Sequence, residues 1–246
     1  MKKLRRDTVA KMPPRIIANK PKNATKLKLY TAQKNPAKMN VNAVFASNIV
    51  EFLGVDKKII VLDSEHGITC KTLIAAGIEP WLITPANMNL YICEALRPLR
   101  IRDYHGNIED GVSMTRFDAA WYDGMTTMNG RKDLQTYIGL FAHRFLLTNH
   151  GRRCVMAITV NTQSNNTDCN YLPQKKMFER QIEALIAYHG FVVVGEPVVN
   201  PYKESHIFGM WNLVPATSAI HHPVLLTHLG SRRLVGFPEG FTFAQL

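Results

Sequence analysis

Ile59-Ile60-Val61-Leu62-Asp63-Ser64-Glu65-His66-Gly67 decides the fold. Three β-branched residues and a leucine run together without a polar interruption. The run is too short for a core helix and lacks the alternation of a half-exposed strand, so residues 58–63 read as a strand buried on both faces, as in a parallel sheet. Asp63 and the polar turn up to Thr69 end it, and a helix over 71–76 stops at Gly77. Upstream, Val41, Val44, Phe45, Ile49, Phe52 and Leu53 form a helical stripe over 41–53 that ends at Gly54.

The same alternation continues along the chain. Strands are expected over 80–84 (Pro-Trp-Leu-Ile-Thr), 100–104, 117–122 and 153–160. The helices between them fall over 90–96, closed by Pro98, and over 133–147, and a long one over 174–189 ends at Gly190. Strands over 191–199 and 206–215 follow, joined by an Asn-Pro-Tyr-Lys-Glu turn. A series of βα units ending in a long helix and a hairpin predicts an α/β fold: a mostly parallel seven-stranded sheet, helices on both faces, and a C-terminal antiparallel β-hairpin.

Charge divides the chain differently. Of 30 Lys+Arg, 12 lie in residues 1–40, with one of the 19 Asp+Glu, Asp7; the other 206 residues carry 18 of each sign. The formal net charge of +11 therefore belongs to a basic arm, expected to be extended or disordered because it has too few large apolar residues for a core. The body is 41–215, with 216–246 as a C-terminal extension whose Phe237, Phe241 and Phe243 are expected to pack on it. Across the whole chain, 46% hydrophobic and 20% charged residues are ordinary for a globular protein. A body of about 200 residues needs no disulfide or metal staple. Cys70, Cys93, Cys154 and Cys169 form no CxxC pair and read as free thiols in a reducing compartment. His221, His222 and His228 have no second ligand pair at zinc spacing, so no metal site is expected. No apolar run suits a secretion signal or a membrane span, so an intracellular protein without membrane contact is expected.

In an open parallel sheet, ligands bind at the carboxyl ends of the strands. That rule selects the loops 63–69, 84–89, 104–110 and 122–129. Taken in order, they resemble those of the class I S-adenosylmethionine-dependent methyltransferases, whose fold is Rossmann-like, and the resemblance covers residues 41–215. The run from Ile59 to Gly67 resembles that family's first motif, a hydrophobic strand followed by an acidic residue and a glycine turn. Tyr122-Asp123-Gly124 resembles the fourth-strand motif. The wording of these motifs is also similar to methyltransferase-like proteins of large DNA viruses and phages.

The resemblance implies S-adenosylmethionine as cofactor and assigns roles. Gly67 would let the backbone approach the methionine part, Asp63 would order that turn or meet the amino group through water, and Glu65 and His66 would stand beside it. Asn87 would take the place of the acidic residue that grips the ribose. Gly106 and Asn107 would meet the adenine. Tyr122 would lie beside the methyl group, and Asp123 would orient or deprotonate the acceptor as the catalytic residue. Trp121 is expected to point away into the packing. Asn161, Gln163 and Asn165 after the fifth strand are candidate acceptor contacts, or else a solvated loop. The chain departs from the family in keeping one glycine in the first loop and an uncharged Asn87. It also lacks both the Asn/Asp-Pro-Pro-aromatic and the Pro-Cys signatures.

Twelve cations without a fold suit a phosphate backbone, where counterion release drives binding. The expected function is methyl transfer to RNA or DNA docked through residues 1–40. The alternatives are a catalytically inactive nucleic-acid-binding or scaffold protein on the same fold, and a small-molecule or protein methyltransferase with an incidental tail.

Overall fold

The structure, a computed structural model, describes residues 36–127, 137–161, 171–203 and 206–216. Residues 217–246 of the extension and most of the arm lie outside the described residues, as do Cys169, Gln163, Asn165 and the three C-terminal histidines. The deciding run is β1 (Ile59–Leu62), whose first three residues have no solvent exposure. It lies inside a sheet with β2 (Ile83–Asn87), β3 (Tyr104–His105), β4 (Ala119–Thr127), β5 (Cys154–Asn161), β6 (Phe191–Val193), β7 (Val198–Lys203) and β8 (His206–Pro215). The order is β3-β2-β1-β4-β5-β8-β6, with β7 also on β8. β1 to β5 run parallel, and β8 is antiparallel to its three partners.

The sheet has eight strands in seven positions. β5 takes one edge of β8, so β6 and β7 lie end to end along the other. The strand expected over 191–199 is thus broken at Val194-Gly195-Glu196-Pro197, where Gly195 has φ 73°. β7 runs on to Lys203 through the expected turn, and Pro201 is tolerated because β7 is an outer strand.

The two-residue period of each strand sorts side chains to two cores. Ile60, Ala120, Tyr122, Met156 and Ile158 pack under α4 (Ile108–Met114), α5 (Gly139–Thr148) and α6 (Tyr171–Tyr188). Ile59, Val61, Ala119, Trp121, Val155 and Ala157 pack under α1 (Pro36–Phe52), α2 (Ile68–Ala75) and α3 (Leu90–Leu96). Helices therefore cover both faces.

Three departures from the sequence reading affect the site. First, α1 begins at Pro36, so Lys38, counted with the arm, lies in the first turn of a body helix. Pro at the first helical position after Asn35 is a start signal, because its missing N–H has no helical partner to lose. Second, residues 80–82 form a 3-10 turn, and β2 continues through Pro85 to Asn87. Pro85 brings no N–H to the ladder, and β3 pairs with β2 only at Ala86 and Asn87. β3 accordingly starts at Tyr104, not 100. Third, residues 108–114 are helical, not loop. Gly111 disfavours a helix, yet a Cβ there would stand 2.8 Å from Ile60 Cδ1, so glycine lets α4 settle on β1.

Candidate functional site

Asp63 follows β1, Asn87 ends β2, Asn107 lies two residues past β3, and Asp123 lies within β4. Four adjacent parallel strands thus bring these residues to the carboxyl end of the sheet.

Asp63 is 8% exposed and organises the first loop. Its two carboxylate oxygens accept the backbone N–H groups of Ser64 and Cys70, both at 2.9 Å. Burial pushes its pKa above the usual carboxylate value, while those N–H bonds and the charge of Lys38 pull the other way. Gly67 closes the turn by donating to the Ser64 carbonyl at 2.9 Å, with φ 58° as the residue before α2. A Cβ on Gly67 would meet Leu96 Cδ2 at 2.6 Å and Leu99 Cδ1 at 3.1 Å. On its Cβ side, glycine here permits the close approach of α3 and the turn after it. Glu65 and His66 form a half-exposed surface pair at 3.7 Å.

Asn87 ties two strand ends together. Its Nδ2 donates to the Asp63 carbonyl at 2.9 Å, and its Oδ1 accepts from Asn89 N–H at 2.8 Å. Met88 beside it is 65% exposed. Gly106 donates to the Asn87 carbonyl at 3.1 Å and has the Tyr104 ring over its Cα, where a Cβ would stand 2.8 Å from ring atoms. Asn107 is exposed, and its side chain makes no capping bond to α4.

Tyr122 and Asp123 point to opposite faces. The Tyr122 ring is 6% exposed and packs 5.4 Å from the Phe141 ring, inside the core under α5. Its ring is part of that core. Trp121, two residues earlier, is fully buried in the packing as expected, but it shares its face of the sheet with Asp123 and does not point away from it. β4 itself runs to Thr127 through the expected loop.

The residue missed from sequence is Lys38. Its ammonium pairs with Asp123 Oδ2 and sits 4.5 Å from the Trp121 ring centroid. The two side chains of the pair are 13% and 17% exposed. Trp121 is held in turn by Nε1 donating to Thr159 Oγ1 at 3.0 Å and by the Phe45 and Phe208 rings at 4.9 and 5.3 Å. A cation seated on a buried aromatic face and next to a carboxylate is a built contact, because each partner offsets desolvation of the others. Asn161, at the end of β5, is 9% exposed.

Among the described residues, no group of three or more His, Cys, Asp or Glu could hold a metal ion. Cys70, Cys93 and Cys154 are free and buried, and burial raises all three thiol pKa values. No described helix is long and apolar enough to cross a membrane.

No protein-family model matches the chain. No curated protein matches it in sequence. Solved structures do match in fold. One is the complex of Trm1 from Pyrococcus horikoshii with S-adenosyl-L-methionine, at TM-score 0.50 and 10% identity over 72% of this chain and 55% of that one. Another is Burkholderia thailandensis 1,6-didemethyltoxoflavin-N1-methyltransferase with S-adenosylhomocysteine, at TM-score 0.48, 13% identity, 75% and 81%. A third is the N-methyltransferase NodS from Bradyrhizobium japonicum with the same product, at TM-score 0.47, 11% identity, 74% and 90%. The fold of this chain is that of S-adenosylmethionine-dependent methyltransferases.

Proposed function

We propose that the protein is an S-adenosylmethionine-dependent methyltransferase acting on RNA or DNA, docked through its basic N-terminal residues. The supporting observation is the set Asp63, Asn87, Asn107 and Asp123 at the carboxyl ends of four adjacent parallel strands, in a sheet with the strand order of that fold. An intracellular setting, and a large DNA virus or phage as source, belong to the same proposal.

The residues fit the two halves of the cofactor unequally. At the adenosine end, Asn87, exposed Met88 and Asn107 offer amide groups and an apolar surface. Asn87 would have to share or exchange its bond to Asn89 to meet a ribose hydroxyl, with no charge to strengthen the new bond. At the methionine end, Asp63 holds the turn, and Leu96 lies against the Cβ side of Gly67. When bound, the cofactor supplies an electrophilic methyl group. The chain's own task is then to align the acceptor and accept its proton, and Asp123 is the group assigned to it. The Lys38 ammonium must shift from Asp123 for that oxygen to accept a proton.

Transfer of labelled methyl groups from S-adenosylmethionine to cellular RNA and DNA pools is expected. Asp123→Asn should lower it by about 100-fold or more at unchanged cofactor affinity. Equal transfer by the variant removes Asp123 from the reaction.

A second reading is a non-catalytic nucleic-acid-binding or scaffold protein on the same fold. The Lys38–Asp123 pair and the engaged amide of Asn87 favour it. Salt-sensitive nucleic-acid binding without transfer to either pool is its signature.

A further inference from the structure

The opposite end of the sheet carries a feature that methyl transfer does not use. Where the chain enters β1, β4 and β5, a cavity of about 350 Å³ is lined by Phe52, Leu53, Lys57, Asp118, Arg152 and Arg153. Three of the six are cations, and the single carboxylate is already engaged. Asp118 Oδ2 accepts the Lys58 backbone N–H at 3.0 Å, and its Oδ1 lies 4.0 Å from the Arg116 guanidinium. The lining therefore has a positive surplus, although the chain beyond the arm is balanced in charge.

Arg153 is positioned before any ligand arrives. Its Nη2 donates to the Phe52 carbonyl at 2.9 Å, and its guanidinium carbon lies 4.4 Å from the centre of the Phe52 ring. The end of α1 thus fixes the fork, and the guanidinium makes no other side-chain hydrogen bond among the described residues. A fork held this way loses little further rotamer freedom when it binds an oxyanion. Capping of α1 accounts for Arg153 alone. It does not account for Arg152, which has no side-chain partner among the described residues, or for Lys57, whose pair with exposed Asp56 at 3.1 Å is a surface contact.

We infer that this cavity binds one nucleotide unit, with its phosphate taken by Arg152, Lys57 and the remaining donors of Arg153. The base lies against the stacked Arg153 and Phe52. Pockets for small ligands start at about 300 Å³, so the volume suits a single nucleotide. A cationic groove beside a planar stacking surface is the combination that holds single-stranded nucleic acid. The unit is therefore either a free nucleotide or one residue of a strand. This inference does not rest on methyl transfer.

The test uses the full chain and uridine 5′-monophosphate, which avoids competition from an adenosine site at the other end of the sheet. Calorimetry should show binding of the nucleotide and much weaker binding of uridine. The double variant Lys57→Gln/Arg152→Gln, whose side chains support no buried contact, should unfold at the wild-type urea concentration and bind the nucleotide about tenfold more weakly. In parallel, anisotropy of a labelled single-stranded oligonucleotide is followed against salt. If a strand is the source, the double variant lowers the log–log salt slope by about 0.7 for each cation removed. If the slope is unchanged while nucleotide binding falls, the ligand is the free nucleotide. Equal affinity of wild type and variant for the nucleotide, together with an unchanged slope, overturns the inference. So does uridine binding as tightly as its phosphate.

Discussion

Lys38→Met is expected to lower the unfolding free energy by about 3 kcal/mol, with most of the loss restored by adding Asp123→Asn. The reason is the asymmetry of a largely buried pair. With both charges present, the ammonium satisfies the Asp123 carboxylate and lies on the Trp121 face. Methionine keeps the length and apolar stem of lysine, so packing against Trp121 is largely preserved. The carboxylate, only 17% exposed, then loses its counter-charge while still partly withheld from water. Breaking a fully buried pair costs about 3–5 kcal/mol, and the residual exposure of both partners moves the figure to the low end. Removing the second charge as well removes the penalty. Urea unfolding of the four proteins in the cycle at pH 7 measures the coupling. Additive losses, with no recovery in the double variant, would mean that Lys38 and Asp123 do not act as a pair in solution.

The second large effect is acid destabilisation centred on His189. His143 Nδ1 and His189 Nε2 share a hydrogen bond at 3.0 Å between α5 and the end of α6. One nitrogen must donate and the other accept, so this bond cannot form when both rings are fully protonated. Burial, with the nearby His143 and His150, depresses His189 from the usual 6.5 to about 4. Burial and Arg144 lower His143 as well. The folded chain therefore binds fewer protons than the unfolded one in this interval. The stabilisation is fully present above pH 6.5 and is lost as pH falls towards 4, about 3 kcal/mol in all. Asp63, Glu109 and Glu183 act in the opposite sense, because burial raises their pKa values and folding then takes up protons in acid. The wild-type profile alone mixes these contributions. The difference between wild type and His189→Gln isolates the histidine, since glutamine can still bond to His143. That difference should shrink by about 3 kcal/mol between pH 7 and pH 4. Parallel profiles would exclude His189 as the titrating group.

How far the sequence discloses this molecule depends on whether a residue's local pattern and its tertiary role agree. β1 was legible because Ile59-Ile60-Val61-Leu62 is apolar on both faces, and α3 because Pro98 closes it; its Asn89 cap emerged only in the structure. Pro85 misled in the other direction: a residue that ordinarily ends a strand lies inside β2, where β3 pairs with only two residues. Gly111 hid α4 in the same way, because its reason is the approach to Ile60 and not local conformation. At the candidate site, the strand-end rule selected the four loops, and the resemblance singled out Asp63, Asn87, Asn107 and Asp123 within them. It did not say which of two neighbouring residues faces which core, and the structure packs Tyr122 against Phe141 under α5. Lys38 was missed because a dense run of cations reads as one arm, and only its partners Trp121 and Asp123, some 85 residues away, reveal that this one belongs to the body. Asn35-Pro36 was the local signal that marks the boundary.

The most direct test of the proposed function is a calorimetric titration of the full chain with S-adenosylhomocysteine, repeated with Asn87→Ala. Binding in the micromolar range is expected, weakened about tenfold by the loss of one side-chain hydrogen bond to the ribose. Folded protein that takes up no S-adenosylhomocysteine at millimolar concentration, or binds it equally well without the Asn87 amide, would contradict a cofactor site at the ends of β1, β2 and β3.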